Sequence, residues 1–190
     1  MGVRATEIRK GQVIQLNNDL WVVTEYEHKT PGNLRAIINI KTKSLTSGAT
    51  SAMRLGSSDV LEVAYLDRKR AEYLYQEGSG NFVFMDTENF EQFELSQEFV
   101  GDKMPYVRPN TQVEVTFHGT TPVGVELPPQ VILTVTEAEA AVKGNTTSGV
   151  KKEAVLETGL RIKVPIHIQT GDQVKVATET GEFQGRLNER

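Results

Sequence analysis

The chain has 190 residues, with 21 Lys and Arg against 25 Asp and Glu, three His, one Trp and no Cys. That length allows one compact body or a few small ones of roughly 50–200 residues each, and the lack of Cys excludes disulfides, thiolate nucleophiles and Cys-based zinc sites. No stretch approaches the roughly 20 apolar residues of a membrane-spanning helix and the N-terminus lacks the apolar core of a secretion signal, so a cytoplasmic chain with no membrane partner is expected.

In chain order the pattern is β-strand nearly throughout. Val13–Leu16 and Leu20–Val23 flank Asn17-Asn18-Asp19, whose short polar side chains suit a hairpin turn. Ala36–Ile40 reads as a strand after a turn at Pro31-Gly32. Further strands are expected at Tyr73–Tyr75, Phe82–Met85, Val113–Phe117 and Ile132–Val135, with a single helical turn over Ser96–Gly101. Leu160–Val164 and Val174–Val176 alternate apolar with polar residues, as half-buried strands do. Short strands between Gly, Pro and Asn turns indicate an all-β chain of small barrels.

A faint repeat supports consecutive barrels. At an offset of 61 residues, Val107 falls on Ile168, Val113 on Val174, Val115 on Val176 and Gly124 on Gly185. The expected modules are 1–64, 65–128 and 129–190, the second boundary falling at Pro128-Pro129. They carry 8 basic and 6 acidic, 5 and 11, and 8 and 8 residues, so the middle module is distinctly negative. Such asymmetry either orients a molecule in the field of a nucleic acid or is a solvated acidic surface.

Enzymatic constellations are missing. His28, His118 and His167 lie far apart, with no pair spaced to present two imidazoles to one metal. Gly144–Gly149 opens like a phosphate-binding loop, but Val150 stands where the Lys must follow, and a strand lies downstream. Asn145-Thr146-Thr147 matches a glycosylation acceptor and Met1–Thr6 a loose myristoylation pattern; the first means nothing without secretion, and the second runs straight into a strand. No enzyme, cofactor or metal site is expected.

The most specific pattern runs from Lys152 to Val176: Lys152, Ala154, Gly159, then Val164-Pro165, then Gly171-Asp172 before the alternating Val174 and Val176. This order and spacing resemble the C-terminal signature of the bacterial elongation factor P family. The likeness continues in Ile8–Ile14, in the hairpin Tyr73–Tyr75 with Phe82–Asp86, and in Val142–Thr146. The resemblance implies an N-terminal SH3-like (KOW-type) barrel and two OB-folds in an L-shaped, tRNA-like arrangement. It also implies a monomeric factor that binds the ribosome between the P and E sites, beside the peptidyl-tRNA, and stimulates peptide-bond formation when consecutive prolines stall the chain.

The same resemblance selects the site residues. The loop approaching the acceptor end is matched by Lys29, Pro31, Gly32, Asn33, Leu34 and Arg35, with Lys29 and Arg35 bracketing the turn with charge suited to phosphate. Many members carry a covalently extended Lys or Arg after the Pro-Gly pair; Asn33 stands there, and its amide cannot take the same extension, so an unmodified loop is expected. Lys143, Gly144, Asn145 and Thr146 match a loop near the E-site codon of the messenger, with Asn145 where an Asp is common, and Arg186 matches a contact to ribosomal RNA. Phe183 reads as core. Two other readings are a ribosome-binding paralogue with other target stalls or a regulatory role, and a standalone OB-fold RNA-binding protein with aromatics exposed beside Lys or Arg on one sheet face.

Overall fold

The computed structural model describes residues 1–140 and 149–187, and the chain divides into two compact units. The first comprises Met1–Arg68 with Thr116–Gly124, the second Lys69–Val115 with Val125–Arg190. Among the described residues, sixteen strands account for most of the chain. The N-terminal run is β1 (Gly2–Arg4), β2 (Val13–Leu16), β3 (Asp19–Lys29), β4 (Ile37–Ser44), β5 (Thr50–Gly56) and β6 (Val60–Val63). There follow β7 (Asp67–Gln76), β8 (Phe82–Asp86), β9 (Gln92–Leu95), a one-turn helix α1 (Gln97–Val100), β10 (Gln112–His118) and β11 (Thr121–Glu126). The last are β12 (Gln130–Ala138), β13 (Lys151–Leu156), β14 (Arg161–Pro165), β15 (Gln173–Ala177) and β16 (Phe183–Arg186).

The first sheet has the order β1-β6-β2-β3-β4-β5. Its β2–β3 hairpin turns at Asn17 and Asn18, with φ of 50° and 61°, the pair of left-handed residues that a tight hairpin requires and Asn tolerates. Apolar residues alternate inward along β4, and Ile14, Val23, Ile38 and Ile40 join Ala5, Ile8 and Leu61 in one core. A second small cluster in this unit joins Val13 and Leu20 to Val123 on β11. Thr42 and Ser44 also face inward, at 1% and 2% exposure, and each has a hydrogen-bond partner, as burial demands. Ser44 Oγ donates to Asp19 Oδ2 at 2.7 Å and Thr46 Oγ1 to Asp19 Oδ1 at 2.6 Å, which ties the β2–β3 hairpin to the β4–β5 turn.

The other sheets share one topology. Their orders are β11-β10-β7-β8-β9 and β14-β13-β12-β15-β16, so β10 and β11 correspond to β15 and β16, and β7, β8 and β9 to β12, β13 and β14. The repeat offset is borne out in the strands: β10 begins at Gln112 and β15 at Gln173, and Val115 and Val176 are both fully buried. Register shifts at Tyr73/Tyr75, Val135/Glu137 and Lys175/Val176 add the bend a sheet needs to curl on itself. Tyr73, Phe82 and Phe84 pack ring to ring in one core, at centroid distances of 6.1 and 5.4 Å from Tyr73. The other core gathers Leu133, Leu156, Ile162, Val164, Ile168 and Val174, with Phe183 and Tyr106 packed against it.

Candidate functional site

The loop between β3 and β4 is carried by a ladder that runs from Trp21 opposite Ser44 to Lys29 opposite Ile37. Lys29 pairs with Ile37 at its end, leaving residues 30–36 to connect the two strands. Leu34 N–H donates to the Pro31 carbonyl at 3.0 Å, closing a four-residue turn. Gly32 occupies the first central position with φ of 52°, the left-handed region that a side chain disfavours there. Pro31, Gly32, Asn33, Leu34 and Arg35 are all exposed, Leu34 at 72%.

Charge at this loop is uneven. Lys29 Nζ lies 3.1 Å from Glu27 Oε1, and Asn39 Nδ2 donates to Glu27 Oε2 at 3.4 Å. The Lys29 ammonium, and secondarily the Asn39 amide, hold the Glu27 carboxyl below its usual value. Arg35 has no ion pair or hydrogen bond to its side chain among the described residues, so its planar fork of N–H donors is free for an external phosphate or carbonyl. The two cations expected to bracket the turn are therefore unequal: one is held by its own strand, the other is available. The sequence signal for this was Glu27 at i−2 of Lys29, on the same face of the strand, with Asn39 directly across the ladder.

Arg186 lies in the second unit, on β16 opposite Val174. Its Nη1 is 3.7 Å from Asp172 Oδ2, and its Nε is buried without a partner. That carboxylate also accepts the Gln169 N–H at 2.8 Å, so part of the guanidinium faces its own barrel and part remains exposed. Lys143, Gly144, Asn145 and Thr146 lie outside the described residues. Among the described residues no group of three His, Asp or Glu is placed to hold a metal ion, and no helix is long and apolar enough to cross a membrane.

The sheets and this loop define a class: curled small barrels, a KOW-like one followed by OB-folds, with an exposed turn held out on a long hairpin. Three family models match in succession, the "Elongation factor P (EF-P) KOW-like domain" over residues 4–61, the "Elongation factor P (EF-P) OB domain" over 66–125, and "Elongation factor P, C-terminal" over 131–186. A protein named elongation factor P from Acidobacterium capsulatum is 42% identical over 186 residues, covering 98% of this chain and 100% of its own length. Another of that name, from Chloroflexus aggregans, is 41% identical over 184 residues, covering 96% and 97%. The chain belongs to the elongation factor P family. A solved structure titled eukaryotic translation initiation factor 5A from Methanococcus jannaschii aligns with a TM-score of 0.53 at 18% identity, covering 65% of this chain and 97% of that one, a likeness of fold.

Proposed function

We propose that this chain is a translation elongation factor that binds the ribosome between the P and E sites and stimulates peptide-bond formation at consecutive prolines by positioning the peptidyl-tRNA. The observation that carries the reading is the Pro31–Leu34 turn, fixed by its own hydrogen bond and followed by Arg35, whose side chain is unpaired among the described residues. Proline is a poor nucleophile of fixed φ, so the reacting atoms rarely align. Steadying the tethered substrate lowers the entropic part of the barrier, and a misplacement of about 1 Å can cost 100-fold. No acid, base or nucleophile from the factor is required.

In this reading Arg35 meets the acceptor-end backbone and Asn33, unmodified, offers its amide as a hydrogen-bonding group; Lys29 is secondary because Glu27 holds it. The chain acts as a monomer in the cytoplasm, its modules are 1–64, 65–128 and 129–190, and Lys143–Thr146 with Arg186 contact messenger or ribosomal RNA. A sheet-face RNA reader is disfavoured, since Tyr73, Phe82 and Phe84 are buried in the core and the exposed Tyr75 on β7 is followed by Gln76 and Glu77 rather than by Lys or Arg. The test is a reporter carrying consecutive prolines, translated with and without the factor and with Arg35→Ala and Asn33→Lys. Relief of stalling that is lost with Arg35→Ala supports the reading; no relief by the wild-type chain removes it. An adduct on this loop, found by intact mass in protein from the native host, overturns the unmodified Asn33.

A further inference from the structure

The turn that joins β8 to β9 carries a residue the fold has no use for. Phe90 adopts φ of 61° and is 69% exposed. A single exposed aromatic is ordinary, and so is a left-handed Asn or Gly in a turn. A bulky side chain in that region is an outlier, and this one recovers little by burial. The turn around it is held by its own bonds. Phe90 N–H donates to the Asp86 carbonyl at 2.9 Å, and Asp86 N–H to that of Glu91 at 2.9 Å. Asp86 Oδ1 accepts from Glu88 N–H at 2.8 Å, and Asn89 Oδ1 from Glu91 N–H at 3.0 Å. The ring is thus displayed on a preorganised base, which lowers the ordering cost of using it as a contact.

Its surroundings select the partner. Glu88 and Glu91, two residues before and one after the ring, are exposed, and neither forms an ion pair among the described residues. Lys69, on the neighbouring strand, lies 3.6 Å from the buried Asp86 carboxylate, and Arg70 beside it meets the turn through its backbone carbonyl, which accepts from Thr87 N–H and Oγ1. An aromatic face between two exposed carboxylates, of which Glu91 Oε2 also accepts from Asn89 Nδ2 at 3.2 Å, repels phosphate and attracts a cation, because the ring quadrupole and both charges act in the same sense. The middle segment, with 5 basic against 11 acidic residues, extends that sign beyond the turn. We infer that Phe90, with Glu88 and Glu91, is a docking point for a basic protein surface, an Arg or Lys side chain lying over the ring and pairing with the flanking carboxylates.

The inference rests on the ribosome binding proposed above, with the basic surface belonging to a protein of the ribosome. The probe is the purified 70S ribosome with peptidyl-tRNA, titrated with the full chain. Phe90→Gly and Phe90→Asn suit the left-handed backbone, so both should hold or raise the melting temperature. They should weaken ribosome binding about tenfold, as loss of an aromatic anchor does. Glu88→Gln with Glu91→Gln should weaken binding and flatten its dependence on salt. A benzophenone-bearing phenylalanine analogue in place of Phe90, irradiated in the complex, should cross-link to a protein segment rich in Lys or Arg. Unchanged affinity of both Phe90 variants, or a cross-link to RNA or to nothing, overturns the docking point. Failure of the wild-type chain to bind removes the proposed function as well, so the two failures read differently.

Discussion

Gly181 and Gly159 form a controlled pair, because both need a left-handed backbone and only one is crowded. Gly181 has φ of 72°, and a Cβ there would stand 2.8 Å from Tyr106 Oη and 3.9 Å from its Cζ. Gly159 has φ of 85° with nothing within 4 Å of the same position. Gly159→Ala should therefore cost only the backbone penalty, roughly 1–2 kcal/mol. Gly181→Ala should cost that and a further 1–3 kcal/mol or so for displacing a well-packed group, since Tyr106 lies against the core of Leu133 and Ile168. Tyr106→Phe deletes the clashing oxygen, which has no hydrogen bond among the described residues, and leaves an ordinary contact at the ring. In that background the two alanine variants should lose similar stability. Urea unfolding followed by circular dichroism on the three single variants and the two alanine variants in the Tyr106→Phe background measures the coupling directly. Equal costs for the two glycines in the wild-type background, or no rescue by Tyr106→Phe, would refute the reasoning.

Arg35→Ala should reduce proline-stall relief about tenfold, the scale of one charged hydrogen bond, while Lys29→Ala should have a clearly smaller effect because Glu27 holds Lys29; equal effects would show that the ion pair opens on binding. Val123→Ala should lower the stability of the first unit by about 2 kcal/mol, as lost methyl groups beside Val13 and Leu20 leave a cavity, and the fluorescence of Trp21, the single tryptophan, reports that unit. Hydrogen bonds from Thr46 first, and then Ser44, hold the Asp19 carboxyl below its usual 3.8. A carboxyl lowered in the fold binds fewer protons there than in the unfolded chain, so its stabilisation is present above pH 3.8 and is lost as pH falls through the folded value. Trp21-monitored unfolding of Asp19→Asn at successive pH values should accordingly show a shallower acid decline than the wild-type chain.

Strands with a clear apolar run or one-sided alternation were legible in the sequence: β2 and β8, apolar at consecutive residues, and β10 and β15, which alternate, lie within a residue or two of their expected bounds. β4 runs on to Ser44 where the sequence turns polar, because Thr42 and Ser44 are buried through hydrogen bonds rather than apolar contact. β5 offers only Met53 and Leu55 as half-buried residues, and β1 is a three-residue edge, so neither carries a hydrophobic period. At the loop, Pro31-Gly32 announced the turn, since both residues restrict or extend φ in the manner a turn needs. The capture of Lys29 by Glu27 depends on the pleat and the ladder register, and that of Arg186 by Asp172 on residues brought together across a barrel, so residue type alone did not show them. The exposure of Phe90 was hidden for the converse reason: a phenylalanine beside an apolar strand reads as core until its backbone is seen to turn it outward.

The two five-stranded sheets keep one strand order although the connections between equivalent strands differ in length: β9 to β10 takes residues 96–111, whereas β14 to β15 takes 166–172. The hairpin from β7 to β8 is closed by residues 77–81, whereas the equivalent hairpin from β12 to β13 spans 139–150. Doubling such a connection costs only about 0.6 kcal/mol in closure entropy, so connection length can vary cheaply while the strand order holds. The tip at 77–81 is accordingly a natural place to graft a peptide tag or reporter, with the longer equivalent connection as the precedent.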